Sequence, residues 1–245
     1  MTASTPVTWG GYSAVLLDLD GVLTPTAEVH MRAWSAMFNE FLADHDGPGD
    51  TSPYTDVDYF AHVDGKPRYD GVRDFLASRG IELPEGEPGR PFDRTVMGLG
   101  DRKNDAFNEV LQRDGVAPYA GSVALLDHLA ELDVPMAVVS SSANAPAVLE
   151  AAGLAGRFVT VVDGRVAAAR SLPGKPAPDT FLHAAEVCGA SAATSVVVED
   201  AVSGVRAGAA GDFGLVVGVD RGAGHDELTA AGAHVVVADL AELVP

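Results

Sequence analysis

Apolar and polar positions along the chain follow two different rules. At residues 14–18, 135–140, 159–162, 195–199, 215–219 and 234–238 the apolar residues run together without alternation, as "AVLLD", "PMAVVS", "VTVV", "SVVVE", "LVVGV" and "HVVVA". A strand with one wet face alternates with period two; continuous β-branched runs fit the interior of a parallel sheet covered on both faces. Ala-rich stretches with helical spacing separate the last five runs. The pattern predicts an α/β fold, a doubly wound (Rossmann-like) parallel sheet.

After the first run the β-like pattern stops for almost a hundred residues. At 28–43, "EVHMRAWSAMFNEFLA" places Val29, Ala33, Trp34, Met37, Phe38 and Phe41 on one helical face. Shorter helices are predicted at 56–63, 70–79 and 101–114, with a loop at "DHDGPGDTSPYTD" and a turn-rich segment at "GIELPEGEPGRPFD". The expected organisation is a core domain of residues 1–27 and 118–245, with a helical domain of residues 28–117 inserted after the first strand. Residues 1–13 are expected to be a loose leader.

Composition narrows the function. With 245 residues the chain can bury a large core, and 35 acidic against 16 basic residues give a formal charge of −19. Nucleic acid and anionic membranes reward clustered positive charge, so neither is an expected partner. The single cysteine, Cys188, excludes an internal disulfide framework and reads as a small buried hydrophobe. The first 30 residues show no basic start followed by a long apolar segment, and no run approaches the roughly 18 residues needed to span a bilayer. A cytoplasmic location is expected.

Ligands of open parallel sheets bind beyond the carboxyl ends of the strands. The residues that finish the strands are Asp18 and Asp20, then Ser140, Ser141 and Ser142, then Glu199 and Asp200; Lys175 sits in the loop "PGKPAPD". Carboxylates gathered in a partly desolvated crevice repel one another unless a cation neutralises them. Mg²⁺ prefers hard oxygen ligands and commonly bridges carboxylates to phosphate, whereas the scattered histidines do not suit zinc. "VVSSSANAP" predicts a strand, a hydroxyl-rich turn and a helix capped near Asn144, a start that favours an anion. Lys175 offers the counter-charge to phosphate oxygens. In such a phosphoryl site one opening acid suits a nucleophile, and the neighbour two residues on suits a proton donor and acceptor. A dinucleotide cofactor is not expected, since no G-x-G-x-x-G follows the first strand.

"DLDGV" with Thr24, the "VVSSS" strand end, the "GKPAPD" lysine and "VVVEDAVSGVRAG" resemble, in order and role, the four motifs of the haloacid dehalogenase superfamily. The resemblance covers almost the whole chain. Within it the chain is similar to the β-phosphoglucomutase group, through an insertion beginning "TAEVHMRAW" and the cap-like segments "HVDGKPRYDGV" and "GDRKND". The resemblance implies a cap domain, Asp18 as nucleophile and Asp20 as general acid/base. It implies a Mg²⁺ site formed by Asp18, Asp20 through its main-chain carbonyl, Asp200 and Glu199, the last as a ligand or as a partner that holds one. Ser140 and Lys175 would hold the transferring phosphoryl group, and Ser141 and Asn144 would help bind phosphate or sugar. In the cap, Arg68 would grip a distal phosphate, Lys103 and Asn104 would face the substrate, and Thr26 and His30 would stand at the hinge. Two departures from the group's pattern are Pro25, where an Asp is common, and Pro67 before Arg68. The implied substrate is a hexose phosphate and the implied reaction a transfer of phosphate between its C1 and C6, with hydrolysis of a sugar phosphate as the alternative; a monomer is expected.

Overall fold

The structure is a computed structural model and describes residues 7–245. Its contacts divide the chain into two compact units, one formed by the residues up to Pro25 with Val116–Pro245, the other by Thr26–Gly115.

The first unit is built on six parallel strands, β1 (Ala14–Leu17), β2 (Met136–Val139), β3 (Thr160–Val162), β4 (Ser195–Glu199), β5 (Leu215–Val219) and β6 (Val235–Val237), in the order β3-β2-β1-β4-β5-β6. The reversal of direction on either side of β1 is the doubly wound arrangement, and the site is expected at that switch point. Register aligns the strand ends: Leu17 pairs with Val138 and with Val198, and the Asp18 amide continues the ladder to the Val198 carbonyl at 2.9 Å. Every residue of β1, β2 and β4 is buried, which accounts for their unbroken apolar runs.

Leu16, Val139, Val197, Val216 and Phe181 belong to one cluster of this core. Each fully buried side chain of this size stabilises the fold by about 1.5–3 kcal/mol relative to exposure.

In chain order the helices of the second unit are α1 (Thr26–Ala43), α2 (Asp56–Asp58), α3 (Arg68–Ser78) and α4 (Val96–Asp114). The first unit adds α5 (Ala120–Glu131), α6 (Ala145–Ala151), α7 (Gly164–Arg170), α8 (Asp179–Val187), α9 (Val202–Ala210) and α10 (His225–Ala231). The helical unit has its own core, in which Phe38 stacks near Tyr54 at 5.0 Å and meets Phe75 at 4.1 Å, with Trp34, Val72 and Leu99 beside them.

Four expectations are corrected here. Residues 7–13 are not a loose leader: Trp9 is buried and its indole N–H donates to the Leu243 carbonyl at 2.9 Å; the rest of the expected leader, residues 1–6, lies outside the described residues. Helix α4 starts at Val96, not at 101, because the Thr95 hydroxyl caps it by accepting from the Gly98 amide at 3.0 Å, and burial of Leu99 outweighs the poor propensity of Gly98 and Gly100. The helix expected at 56–63 is three α-helical residues followed by π-helical Tyr59–Val63. Cys188 is half-buried at the end of α8, packed against the core cluster.

Candidate active site

Parallel register carries Asp18, Ser140 and Glu199 to the same edge of the sheet. Lys175 reaches into that edge from the loop before α8. Its ammonium lies 2.5 Å from Asp18 Oδ1 and 2.5 Å from Glu199 Oε1, and donates to the Val139 carbonyl at 2.9 Å. All three of its N–H bonds thus have acceptors. The Lys175 side chain is 2% exposed and that of Glu199 1%, so the pairing is screened little by solvent.

Glu199 is fixed from both ends. Its Oε2 accepts from the Asp200 and Ala201 amides, each at 3.0 Å. Gly204 on α9 makes the room: a Cβ there would fall 1.8 Å from Glu199 Oε1. The glycines of "SGVRAGAAG" read as close packing of a helix on the sheet; Gly208 does pack on Val216 and Val197, whereas Gly204 faces Glu199 instead. The chain turns away from Asp20 at Gly21, whose φ is +86° and where a Cβ would fall 1.8 Å from Asp200 Oδ2. Only glycine meets both demands.

Burial pushes the Asp18 carboxyl well above its ordinary range; Lys175 pulls the other way, while Glu199 and Asp20 add to the rise. For Lys175, burial acts to lower the ammonium's pKa, and the carboxylates of Asp18 and Glu199 outweigh it, so it stays charged. Asp18, Glu199 and Asp200 each offer a carboxylate oxygen within 4.8 Å of the others. Against these three acids the cluster supplies one ammonium. The deficit of positive charge and the all-oxygen donor set fit a hard divalent cation such as Mg²⁺.

Asp20 directs its carboxylate to Ser140, whose hydroxyl lies 3.4 Å from Oδ2, a long contact. The serine turn also organises itself: Ser140 Oγ accepts from the Ser142 amide at 3.1 Å, and Ser142 Oγ from the Asn144 amide at 3.2 Å. Helix α6 that follows is seven residues long, with Asn144 at its N-cap position and Pro146 in its first turn. Ser141 is partly exposed and Asn144 buried at this turn.

The candidate residues of the helical unit form two groups. Arg68, the first residue of α3, donates to Asn104 Oδ1 at 2.8 Å and lies 3.4 Å from Asp101 Oδ1. Asp101 also accepts from the Tyr69 hydroxyl at 2.8 Å and the Gly89 amide at 2.6 Å. Asp101 and Tyr69 are additions to the sequence reading; "GDRKND" marks the segment, but an ion pair between residues 33 apart leaves no local pattern. In the second group Lys103, 4% exposed, bonds His30 Nδ1 and faces the rings of Trp34 at 4.9 Å and Phe107 at 5.3 Å. His30 stacks on Phe107 with ring centroids 4.0 Å apart. Thr26 opens α1 and is buried.

Comparison with known proteins places this geometry in context. The sequence model of haloacid dehalogenase-like hydrolases matches residues 12–212. The beta-phosphoglucomutase of Mycobacterium tuberculosis is 48% identical over 239 residues, covering 94% of this chain and 91% of its own. Hexitol phosphatase A of Escherichia coli is 30% identical over 198 residues, covering 80% of this chain and 77% of its own. Among solved structures, the beta-phosphoglucomutase of Clostridium difficile superposes with a TM-score of 0.76 at 22% identity, over 95% of this chain and 93% of that one, a likeness of fold. Among the described residues no helix is long and apolar enough to cross a membrane.

Proposed function

The chain belongs to the haloacid dehalogenase-like hydrolase family, and from that premise we propose that it is a phosphoglucomutase interconverting β-glucose 1-phosphate and glucose 6-phosphate. The observation that carries the reading is the buried Asp18 carboxylate, held by Lys175 at 2.5 Å with a second acid two residues on. The 48% identity to a beta-phosphoglucomutase over nearly the full length supports the choice of reaction.

In this reading phosphorylated Asp18 gives its phosphoryl group to the 6-hydroxyl of β-glucose 1-phosphate while Asp20 takes the hydroxyl proton. Glucose 1,6-bisphosphate turns over within the site. Asp18 then attacks the phosphorus at C1; the bond from phosphorus to O1 breaks, and Asp20 returns its proton to O1. Glucose 6-phosphate leaves and Asp18 is phosphorylated again.

Lys175 and Ser140 hold the phosphoryl oxygens, with Ser141 and Asn144 contributing further hydrogen bonds. Lys175 would keep its bonds to Glu199 and the Val139 carbonyl and turn the one made to Asp18 Oδ1 toward an oxygen of the phosphoryl group on Asp18, so its charge stays in place and little else reorganises. Asp18, Asp200 and the main-chain carbonyl of Asp20 would hold Mg²⁺, and Glu199, with both oxygens engaged by protein donors, orients Lys175 and the Asp200 segment. When bound, the ion supplies the positive charge that lets carboxylates and phosphate share one site.

Arg68 with Asn104 suits the second, non-reacting phosphate, because a guanidinium offers paired donors to phosphate oxygens. In this reading Lys103, bonded to His30, would face the substrate, and His30 and Thr26 would act at the hinge.

A hydrolase is the second reading, favoured by the relationship to hexitol phosphatase A. Its core chemistry would be the same, with water accepting the phosphoryl group from Asp18. The experiment supplies β-glucose 1-phosphate, Mg²⁺ and a trace of glucose 1,6-bisphosphate and measures glucose 6-phosphate against free phosphate. Glucose 6-phosphate as the main product is expected; mostly free phosphate overturns the mutase reading in favour of the hydrolase.

A further inference from the structure

The turn that carries Asp20 is tied down through three successive main-chain carbonyls. Within the turn, the Gly21 amide donates to the Thr24 carbonyl at 2.8 Å, and the Leu23 and Thr24 amides both donate to the Leu19 carbonyl, at 2.9 and 3.0 Å. This leaves the carbonyls of Gly21, Val22 and Leu23 pointing away from it. Each is taken by a group distant in sequence: Arg221 Nε donates to Gly21 at 3.0 Å, the Ser122 hydroxyl to Val22 at 2.6 Å, and the Tyr119 amide to Leu23 at 3.0 Å.

Of these three donors Arg221 alone is charged, and it does most to connect the others. It follows β5, its Nη1 donates to the Ala238 carbonyl at 2.9 Å beyond β6, and its Nη2 lies 3.7 Å from the Asp239 carboxylate. Its guanidinium plane covers the Tyr119 ring, 3.9 Å from the centroid. One planar group therefore joins the turn after β1, the ends of β5 and β6, and the residue at which the chain has just re-entered the first unit. Gly21 itself has little slack, since even a Cβ there would fall 1.8 Å from Asp200 Oδ2. A shift of the Gly21 carbonyl would move Asp20 on one side and press Asp200 on the other.

We propose that Arg221 is a positioning residue that fixes the Asp20 turn, and so sets the aim of the proton donor and acceptor without touching substrate. The proposal rests on the reading of Asp20 as general acid/base. A lysine keeps the charge but lacks the planar fork that bonds two carbonyls and stacks on the ring. Arg221→Lys should therefore separate two steps. Phosphorylation of Asp18 by acetyl phosphate expels acetate, which needs no proton, so at saturating Mg²⁺ it feels the loosened turn only through the Asp20 carbonyl and Asp200, and its rate should fall by less than about threefold. Transfer from phosphorylated Asp18 to glucose 1-phosphate needs a proton removed from a hydroxyl, and should slow by about tenfold or more, a part of the total that general acid–base catalysis supplies.

Single-turnover measurements of both steps test this. Tyr119→Leu removes the stacked ring and leaves its main-chain bond; it should show the same imbalance at smaller size, and it decides the question if Arg221→Lys does not fold. Equal slowing of the two steps, or no slowing of either, overturns the role of Arg221. If the unaltered protein forms no phosphorylated Asp18, or passes the group to no sugar hydroxyl, the functional reading itself falls, an outcome visible before any variant is compared.

Discussion

Lys175 and Asp18 meet at 2.5 Å in a site where the lysine side chain is 2% exposed and the aspartate 10%. Without that ammonium, Asp18, Glu199 and Asp200 would share a desolvated space as bare carboxylates. Removing one partner of a buried pair leaves an uncompensated charge and destabilises by about 3–5 kcal/mol.

Lys175→Met should accordingly lower the melting temperature in a chelator. Added Mg²⁺ should then stabilise the variant more than it stabilises the natural protein, because the divalent ion takes over the neutralisation of the acids. Thermal unfolding with and without Mg²⁺ measures both effects; an unchanged melting temperature together with an unchanged response to the ion would contradict the charge balance described here.

Gly204→Ala places two effects in opposition. Helix propensity favours Ala over Gly by about 1 kcal/mol. The added methyl, however, would fall 1.8 Å from Glu199 Oε1, an atom already bonded to Lys175. Overpacking of this kind costs about 1–3 kcal/mol, so the net expectation is a lower melting temperature and reduced phosphoryl transfer. A variant that melts higher than the natural protein would show that α9 has freedom to move away from Glu199.

Asp101 holds the side of Arg68 that Asn104 does not. Asp101→Asn keeps the shape but weakens the charged hydrogen bonds from Arg68 and the Gly89 amide. If Arg68 binds the non-reacting phosphate, the KM for glucose 1-phosphate should rise by about tenfold, equivalent to about 1.4 kcal/mol, while phosphorylation by acetyl phosphate is little changed. Equal effects on both donors would detach this cluster from substrate binding.

Asp58 gives the helical unit an acid-sensitive element. Burial acts to raise its carboxyl pKa, but the Thr55 amide and hydroxyl, at 2.8 and 2.9 Å, and the Arg79 guanidinium outweigh burial and hold it below the ordinary carboxylate range. A depressed folded-state value contributes stability that is present above the unfolded-state pKa of about 4 and is lost as pH falls through the folded value. Asp58→Asn should therefore destabilise the protein by about 1–3 kcal/mol at pH 7, and the gap to the natural protein should narrow below about pH 4. Melting curves across that range check the sign; a gap that widens on acidification would contradict it.

The sheet and the residues at its edge were legible because the chemistry is local. Six continuous β-branched runs fit only a covered parallel sheet, and a strand's last residue is at once the last apolar position and the first at the ligand edge. Asp18, Ser140 and Glu199 could be read in that way. What Lys175 binds could not, since its partners lie 157 and 24 residues away. The start of α4 was obscured by Gly98 and Gly100, whose weak propensity is overridden by a Thr95 cap and by buried Leu99. Trp9, in the isolated "TWGG", carries no periodicity; its anchor is the Leu243 carbonyl at the other end of the chain. Arg221 was illegible for the same reason, its contact with Gly21 spanning 200 residues.

Direct detection of phosphate on Asp18 tests the account at its centre. The protein is mixed with acetyl phosphate and Mg²⁺, quenched in acid within milliseconds to seconds, digested and mapped by mass spectrometry. A phosphorylated peptide carrying the modification at Asp18 is expected, discharged on addition of glucose 1-phosphate and absent from Asp18→Asn. A protein that converts its substrate at full rate while no phosphate is ever trapped at Asp18, or an Asp18→Asn variant that turns over normally, would contradict it.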